Sequence, residues 1–295
     1  MHGRRYTASL RQPVNKRIIF RSVFYAGDHP NHARLAMTTL TQSPQADATD
    51  MSALTRAPSF VDLRAFGDAE LAGFRRRPPV TQSADAFVTS RAPLNSSGKP
   101  STIGALILTG GSGRVDAMSN DEFIIVLKGL LRIEADGVTH ELGDSDSAVL
   151  PHGAGFDWKA EGEVVAITMR YPDSAATGAA IVPIARDPVL MPSAKPAADI
   201  LIGPAPECRN FNDYRVNDGK FVCGTWDSTP YHRCGFLYGH QEIMAIAKGS
   251  VTFSDPSGRA QTFTKGDVLL AEHGSQCGWE SREDVTKVFA IHRLG

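Results

Sequence analysis

The chain has 295 residues, 42% of them hydrophobic, with 31 Lys and Arg against 32 Asp and Glu and a formal net charge of -1. That size suits one large or two ordinary globular domains, and the charge balance offers no electrostatic basis for nucleic acid or an anionic membrane as the main partner. No apolar run reaches the length of a membrane span. The four cysteines (Cys208, Cys223, Cys234 and Cys277) form neither a CxxC pair nor a zinc-finger spacing, so they predict a reducing, cytoplasmic compartment rather than a disulfide framework.

In chain order, residues 1–36 carry seven Lys or Arg and one acid, Asp28. They read either as a basic targeting segment or as residues upstream of a true start at Met37, and the missing apolar core of a secretory signal favours the second. From Met37 to about Pro58 the composition is rich in Thr, Ser, Ala and Gln and predicts disorder. The lead-in over 59–95 begins SFVDLRAFGDAELAGFRRRPP, which predicts a short strand and one or two helical turns. Asp68 is the expected N-cap, and the double proline ends the helix.

From there the chain repeats itself. IGALILTGGSGRVDAMSNDEFIIVLKG (Ile103 to Gly129) aligns with CGTWDSTPYHRCGFLYGHQEIMAIAKG (Cys223 to Gly249). A glycine, Gly104 or Gly224, stands 18 residues before a glutamate, Glu122 or Glu242, and Lys-Gly follows in both. SDSAVLPHGAGFDW (Ser145 to Trp158) matches GDVLLAEHGSQCGW (Gly266 to Trp279), each with Asp, an apolar run, His-Gly and Trp. Such matches in one order define two copies of a unit, offset by about 120 residues.

The unit is all-β. FIIVL, LLRIEA, AVL and EVVAITMRY in copy one, and IMAIA, VTF, VLLA and VTKVFAIH in copy two, are short apolar or alternating runs. Asp136-Gly137 predicts a two-residue hairpin turn, and Asp255 to Gly258 a longer turn at the same place in copy two. GGSG at Gly110 to Gly113 lacks Gly-Lys-Ser/Thr and a following helix, so it reads as a loop rather than a phosphate cradle. Between the copies, 172–206 holds seven prolines and reads as a wrapping linker. Barrel one is placed at 96–171 and barrel two at 207–295.

Glu-x6-Gly, followed by an Asp, an apolar run and a turn, resembles the two cupin motifs. Gly224-Thr-Trp226, Trp279 and Val285-Thr-Lys287-Val further resemble the ureidoglycine aminohydrolase-like branch of the RmlC-like cupins, which includes the ethanolamine-utilisation Q protein. The resemblance covers both repeats and implies an all-β bicupin: two tandem jelly-roll barrels with an extended N-terminal segment, associating as a homodimer.

It also implies a divalent metal held by His-x-His and Glu of the first motif and His of the second. Here those places fall on Phe236, Tyr238, Glu242 and Cys277 in copy two, and on Asp116, Met118, Glu122 and Phe156 in copy one. The ureidoglycine aminohydrolase ligand set is missing at the same places. Copy one therefore reads as structural, or as an apolar pocket with one acid.

Copy two leaves two readings open. Glu242 and Cys277, with a nitrogen from His240, His232 or His273, suit a non-standard site for zinc, manganese, iron or nickel. Alternatively no metal binds, Cys277 is a small buried hydrophobe, and Tyr238 hydrogen-bonds Glu242. Without metal, Glu242 in an apolar pocket is expected to have a raised pKa and to form an acid–base pair with Tyr238 or His240. Trp226, Phe236, Cys277 and Trp279 are the expected ligand-contacting walls, and Cys277 with His273 is a weaker candidate nucleophile. The functional expectation is an isomerase, lyase or hydrolase acting on a small polar metabolite, or a non-catalytic binding or regulatory bicupin that holds one, with a purely structural pair of barrels as the third reading.

Overall fold

The computed structural model describes residues 57–76, 85–96, 101–216 and 218–293. The expectations for 1–56 and for Pro78-Pro79 fall outside the described residues.

The strands are short and numerous, as the alternating runs dictate. The lead-in holds β1 (Phe60–Asp62), α1 (Leu63–Arg75), α2 (Ala86–Thr89) and β2 (Arg91–Pro93). Copy one holds β3 (Thr102–Val115), β4 (Asp121–Lys128), β5 (Leu131–Ala135), β6 (Val138–Leu142), β7 (Ser147–Leu150) and β8 (Phe156–Tyr171). The proline-rich segment adds β9 (Val182–Pro183) and β10 (Met191–Pro192). Copy two holds β11 (Cys208–Arg215), β12 (Phe221–Ser228), β13 (Tyr231–Leu237), β14 (His240–Lys248), β15 (Ser250–Ser254), β16 (Ala260–Thr264), β17 (Val268–Ala271), β18 (Gln276–Ser281) and β19 (Val285–Arg293).

In copy one, β3 and β8 run through both faces of the jelly roll, so its strands form one connected network in the order β2-β3-β8-β4-β7-β9, with the β5–β6 hairpin joined through β8. In copy two the equivalent long strands are interrupted. Pro230, which has no N–H to give a ladder, separates β12 from β13. The barrel therefore resolves into a sheet β1-β17-β14-β19-β12-β11-β10 facing a sheet β13-β18-β15-β16.

Three apolar cores follow from the period-2 alternation of side chains. Ile124, Val126, Phe156 and Trp158 fill barrel one, while Met244, Ile246, Phe253 and Trp279 fill barrel two. The opposite faces of the same strands, including Phe123, Ile125, Ile243 and Ala245, form a core shared between the barrels.

The segments ahead of each copy cross over. Strand β1 precedes copy one but pairs with β17 of copy two, Val61 opposite Leu270. Strand β9 precedes copy two but pairs with β7 of copy one, Val182 opposite Val149. Each barrel thus has an edge covered by the other's lead-in, which also protects an exposed ladder.

Helix α1 lies at this junction. Its N-cap is Asp62, whose side chain accepts from the Ala65 N–H at 2.9 Å, and not Asp68, which lies inside a helix of 13 residues. Arg64 ties the two copies together, donating to Leu127 O at 3.0 Å and from Nε to Gly266 O at 2.9 Å.

Two pairs of repeated glycines have steric causes. Gly129 and Gly249 adopt φ +88° and +74°, and a Cβ on either would collide with the carbonyl of Glu163 or Asp284. Gly104 and Gly224 sit where β2 and β11 cross so closely that a Cβ would meet Ala92 O or Phe211 O. The Asp136-Gly137 turn has φ 52° and 75°, as a type I′ hairpin requires. The GGSG stretch is not a loop: it is the bulged middle of β3, where the register against β8 shifts between Thr109 and Gly111. All four cysteines are free. Among the described residues no helix is long and apolar enough to cross a membrane.

Candidate functional site

The two repeated glutamates occupy equivalent places, Glu122 opposite Leu150 and Glu242 opposite Ala271. Their surroundings differ. Glu122 is wholly buried and held by Arg91 NH1 at 2.8 Å and by Arg170 Nε at 2.5 Å. Above it the lead-in plugs barrel one. Phe87 packs edge-on against Phe156 at 5.1 Å, and Asp85 accepts from Trp158 Nε1 at 2.9 Å. Met118 and Phe156 belong to this core, while Asp116 is exposed and pairs with Arg114 at 3.3 Å.

Barrel two is open. A cavity of about 580 Å³, within the range of small-ligand sites, is walled by Trp226, Tyr231, Phe236, Tyr238 and Trp279 and carries Arg233, His240, Glu242 and Lys287. These side chains arrive by strand alternation. On β19, Lys287 is in phase with buried Val285 and Phe289. On β13, Arg233 is in phase with buried Tyr231, and a register shift before Phe236 brings that ring to the same side.

Lys287 Nζ donates to Glu242 Oε1 at 2.8 Å, touches Met244 Sδ at 3.1 Å, and lies over the Trp226 and Trp279 rings at 4.9 and 5.3 Å. His240 Nε2 stands 3.3 Å from Glu242 Oε2. Burial alone would raise the Glu242 carboxyl, but the Lys287 ammonium and His240 overcome it and hold the pKa at about 2. The expected raised pKa is thereby reversed: sequence showed the apolar walls and not the cation aimed at the carboxylate. Glu242 is a fixed anion near neutral pH, not a proton donor.

Tyr238 is not its partner. The phenol oxygen accepts from Arg233 Nη2 at 2.8 Å, and burial raises its pKa against the lowering effect of the arginine, so the Tyr238–Glu242 acid–base pair is replaced by Arg233–Tyr238 and Lys287–Glu242–His240. Cys277 lies in the barrel core, fully buried, and does not line the cavity. Burial raises its thiol pKa, which removes it as a nucleophile and as a ligand-contacting wall. His232 is exposed, and neither it nor His273 lines the cavity. Trp226, Phe236 and Trp279 are walls, with Trp226 edge-on to Trp279 at 5.9 Å.

The donor set does not fit the divalent metal that cupin motifs imply. Phe236 has no donor atom, the Tyr238 oxygen is engaged by Arg233, Cys277 faces the core, and Glu242 is already neutralised by Lys287. A second cation beside the Lys287 ammonium would meet repulsion rather than a vacant carboxylate. Among the described residues no three His, Cys, Asp or Glu side chains converge on one point. The residues that sequence left without a role are Lys287, noted only as a family position, and Arg233. Both were detectable as cations in phase with buried neighbours.

A EutQ-like cupin domain matches residues 216–289. A protein of unknown function of the DUF861 family from Pseudomonas syringae pv. tomato is 25% identical, with a TM-score of 0.69 over 79% of this chain and 99% of that one. A mutant form of salicylate 1,2-dioxygenase from Pseudoaminobacter salicylatoxidans shares the fold at 10% identity, with a TM-score of 0.51 over 83% of this chain and 88% of that one. No curated protein sequence matches. The cupin match is thus to the C-terminal repeat, and the similarity to the solved DUF861 structure extends over 79% of the chain.

Proposed function

We propose that the chain is a small-molecule cupin whose working site is the cavity of barrel two, and that it binds a small polar metabolite through its own side chains. The observation that carries this reading is the Lys287–Glu242 pair. A charged pair at the edge of an aromatic-walled cavity supplies a donor and an acceptor for a polar ligand, at the place where the superfamily motif would otherwise present a metal-binding carboxylate. Barrel one, closed by Phe87 and with Glu122 clamped between two arginines, serves as the scaffold.

A catalytic reading rests on His240. Its ring is 21% exposed, lines the cavity and is oriented by Glu242. A histidine held by a carboxylate can move a proton in an isomerisation or elimination. In that reading Glu242 is a positioning residue.

The test is a thermal-shift screen of tag-free protein against small organic acids, amines and amides, with and without a chelator. Stabilisation that survives chelation and disappears in Trp226→Ala is expected. No stabilising ligand, or stabilisation only with added manganese, iron, nickel or zinc, would sink the proposal.

A further inference from the structure

We propose that Arg233 binds the carboxylate of a small organic acid in the cavity of barrel two, an inference that rests on the reading of that cavity as a ligand site. The Arg233 side chain lines the cavity and is 5% exposed. Its hydrogen bonds go to Cys277 O at 2.7 Å, Cys234 O at 3.4 Å and Tyr238 Oη at 2.8 Å, and Tyr231 is within hydrogen-bonding reach. Every one of these acceptors is neutral. Among the described residues no carboxylate forms an ion pair with it, and the nearby acid of the cavity, Glu242, is taken by Lys287. Phe236 and Tyr238 lie 4.4 and 5.7 Å from the guanidinium carbon.

A guanidinium keeps its proton when buried, so this charge cannot be discharged as a lysine's can. Neutral acceptors and π faces offset part of its lost hydration, but a full counter-charge is missing. The buried charges of the two repeated glutamate sites differ: Glu122, Glu242 and Lys287 all have ionic partners.

The cavity's charge points the same way. Its lining includes Arg215, Arg233, Lys287 and Arg293, with Lys195 already paired to Glu207, against one acid, Glu242. Such an excess of positive charge raises the local concentration of anions. A planar fork of N–H donors matches a planar carboxylate, and the flat faces of Trp226, Tyr231 and Trp279 suit the organic body of such an acid better than a fully hydrated inorganic ion.

The experiment follows the fluorescence of the cavity tryptophans while wild-type protein is titrated with matched acids and amides (acetate and acetamide, benzoate and benzamide) and with inorganic phosphate. The acid of at least one pair is expected to bind tenfold or more tightly than its amide. Arg233→Gln, checked for folding by circular dichroism, should abolish that preference. Arg233→Lys should restore it in part. A wild type that shows no preference for the acid overturns the inference even if the variants misfold. Equal affinity for acid and amide would leave the cavity a ligand site and make Arg233 a strut between β13 and β18, overturning the inference alone. Preferential binding of phosphate would overturn the carboxylate assignment. Binding of no acid, amide or phosphate would overturn both this inference and the function on which it rests.

Discussion

The ammonium of Lys287 and the carboxylate of Glu242 meet at 2.8 Å across two neighbouring strands, with both side chains no more than a tenth exposed. They are bound in energy as well as in space, because removing either leaves the other charged in an apolar surrounding. Lys287→Met is expected to cost about 3–5 kcal/mol of stability. The Lys287→Met, Glu242→Gln double variant should cost clearly less than the sum of its singles. Urea denaturation of the four proteins checks this, and simple additivity would refute the coupling.

The same pair sets a pH dependence. The folded Glu242 carboxyl has its pKa depressed from 4.5 to about 2. Its contribution is therefore complete above the unfolded value and is lost as pH falls from 4.5 towards 2. The loss is on the order of a few kcal/mol. Stability measured across that window should fall more steeply for wild type than for Glu242→Gln. Parallel curves would mean that Lys287 does not hold the carboxyl down.

Thiol chemistry separates the cysteines. Cys234 is exposed while Cys208, Cys223 and Cys277 are buried, and burial raises the pKa of all three. A thiol-reactive dye is expected to label one cysteine rapidly in the native protein and the other three only on unfolding. Cys277→Ala should leave ligand binding unchanged. Rapid labelling of Cys277 would contradict its place in the core.

Phe87 closes barrel one. Phe87→Ala is expected to cost about 3–5 kcal/mol through the void it leaves, and to leave ligand affinity in barrel two unaltered. A loss of that affinity measured by tryptophan fluorescence would show that the scaffold barrel shapes the working one.

The repeat made the fold legible. The spacing of Gly104 to Glu122 and of Gly224 to Glu242, with the hairpin turns, was enough to place two all-β units. The structure gives the glycines their cause in close backbone crossings. What escaped was set by partners distant in sequence. Glu242 and Lys287 are 45 residues apart, and the carboxyl's pKa depends on that meeting, so an apolar neighbourhood read from local residues gave the wrong sign. Cys277 aligned with a ligand position, and only packing shows that it faces the core. The α1 boundary has the same cause: Asp68 is an N-cap residue type, but the pairing of β1 with the distant β17 fixes the chain up to Asp62, whose side chain caps the helix.

The crossed lead-ins make the peptide link between the copies redundant as a fastener. Because β1 clasps the far barrel and β9 clasps the near one, the two repeats embrace like linked arms, and Arg64 pins the clasp from α1. A nick in the exposed stretch between them would not set the halves free. A piece cut as 207–295 would leave β1 behind and bare the ladder of β17 that it covers.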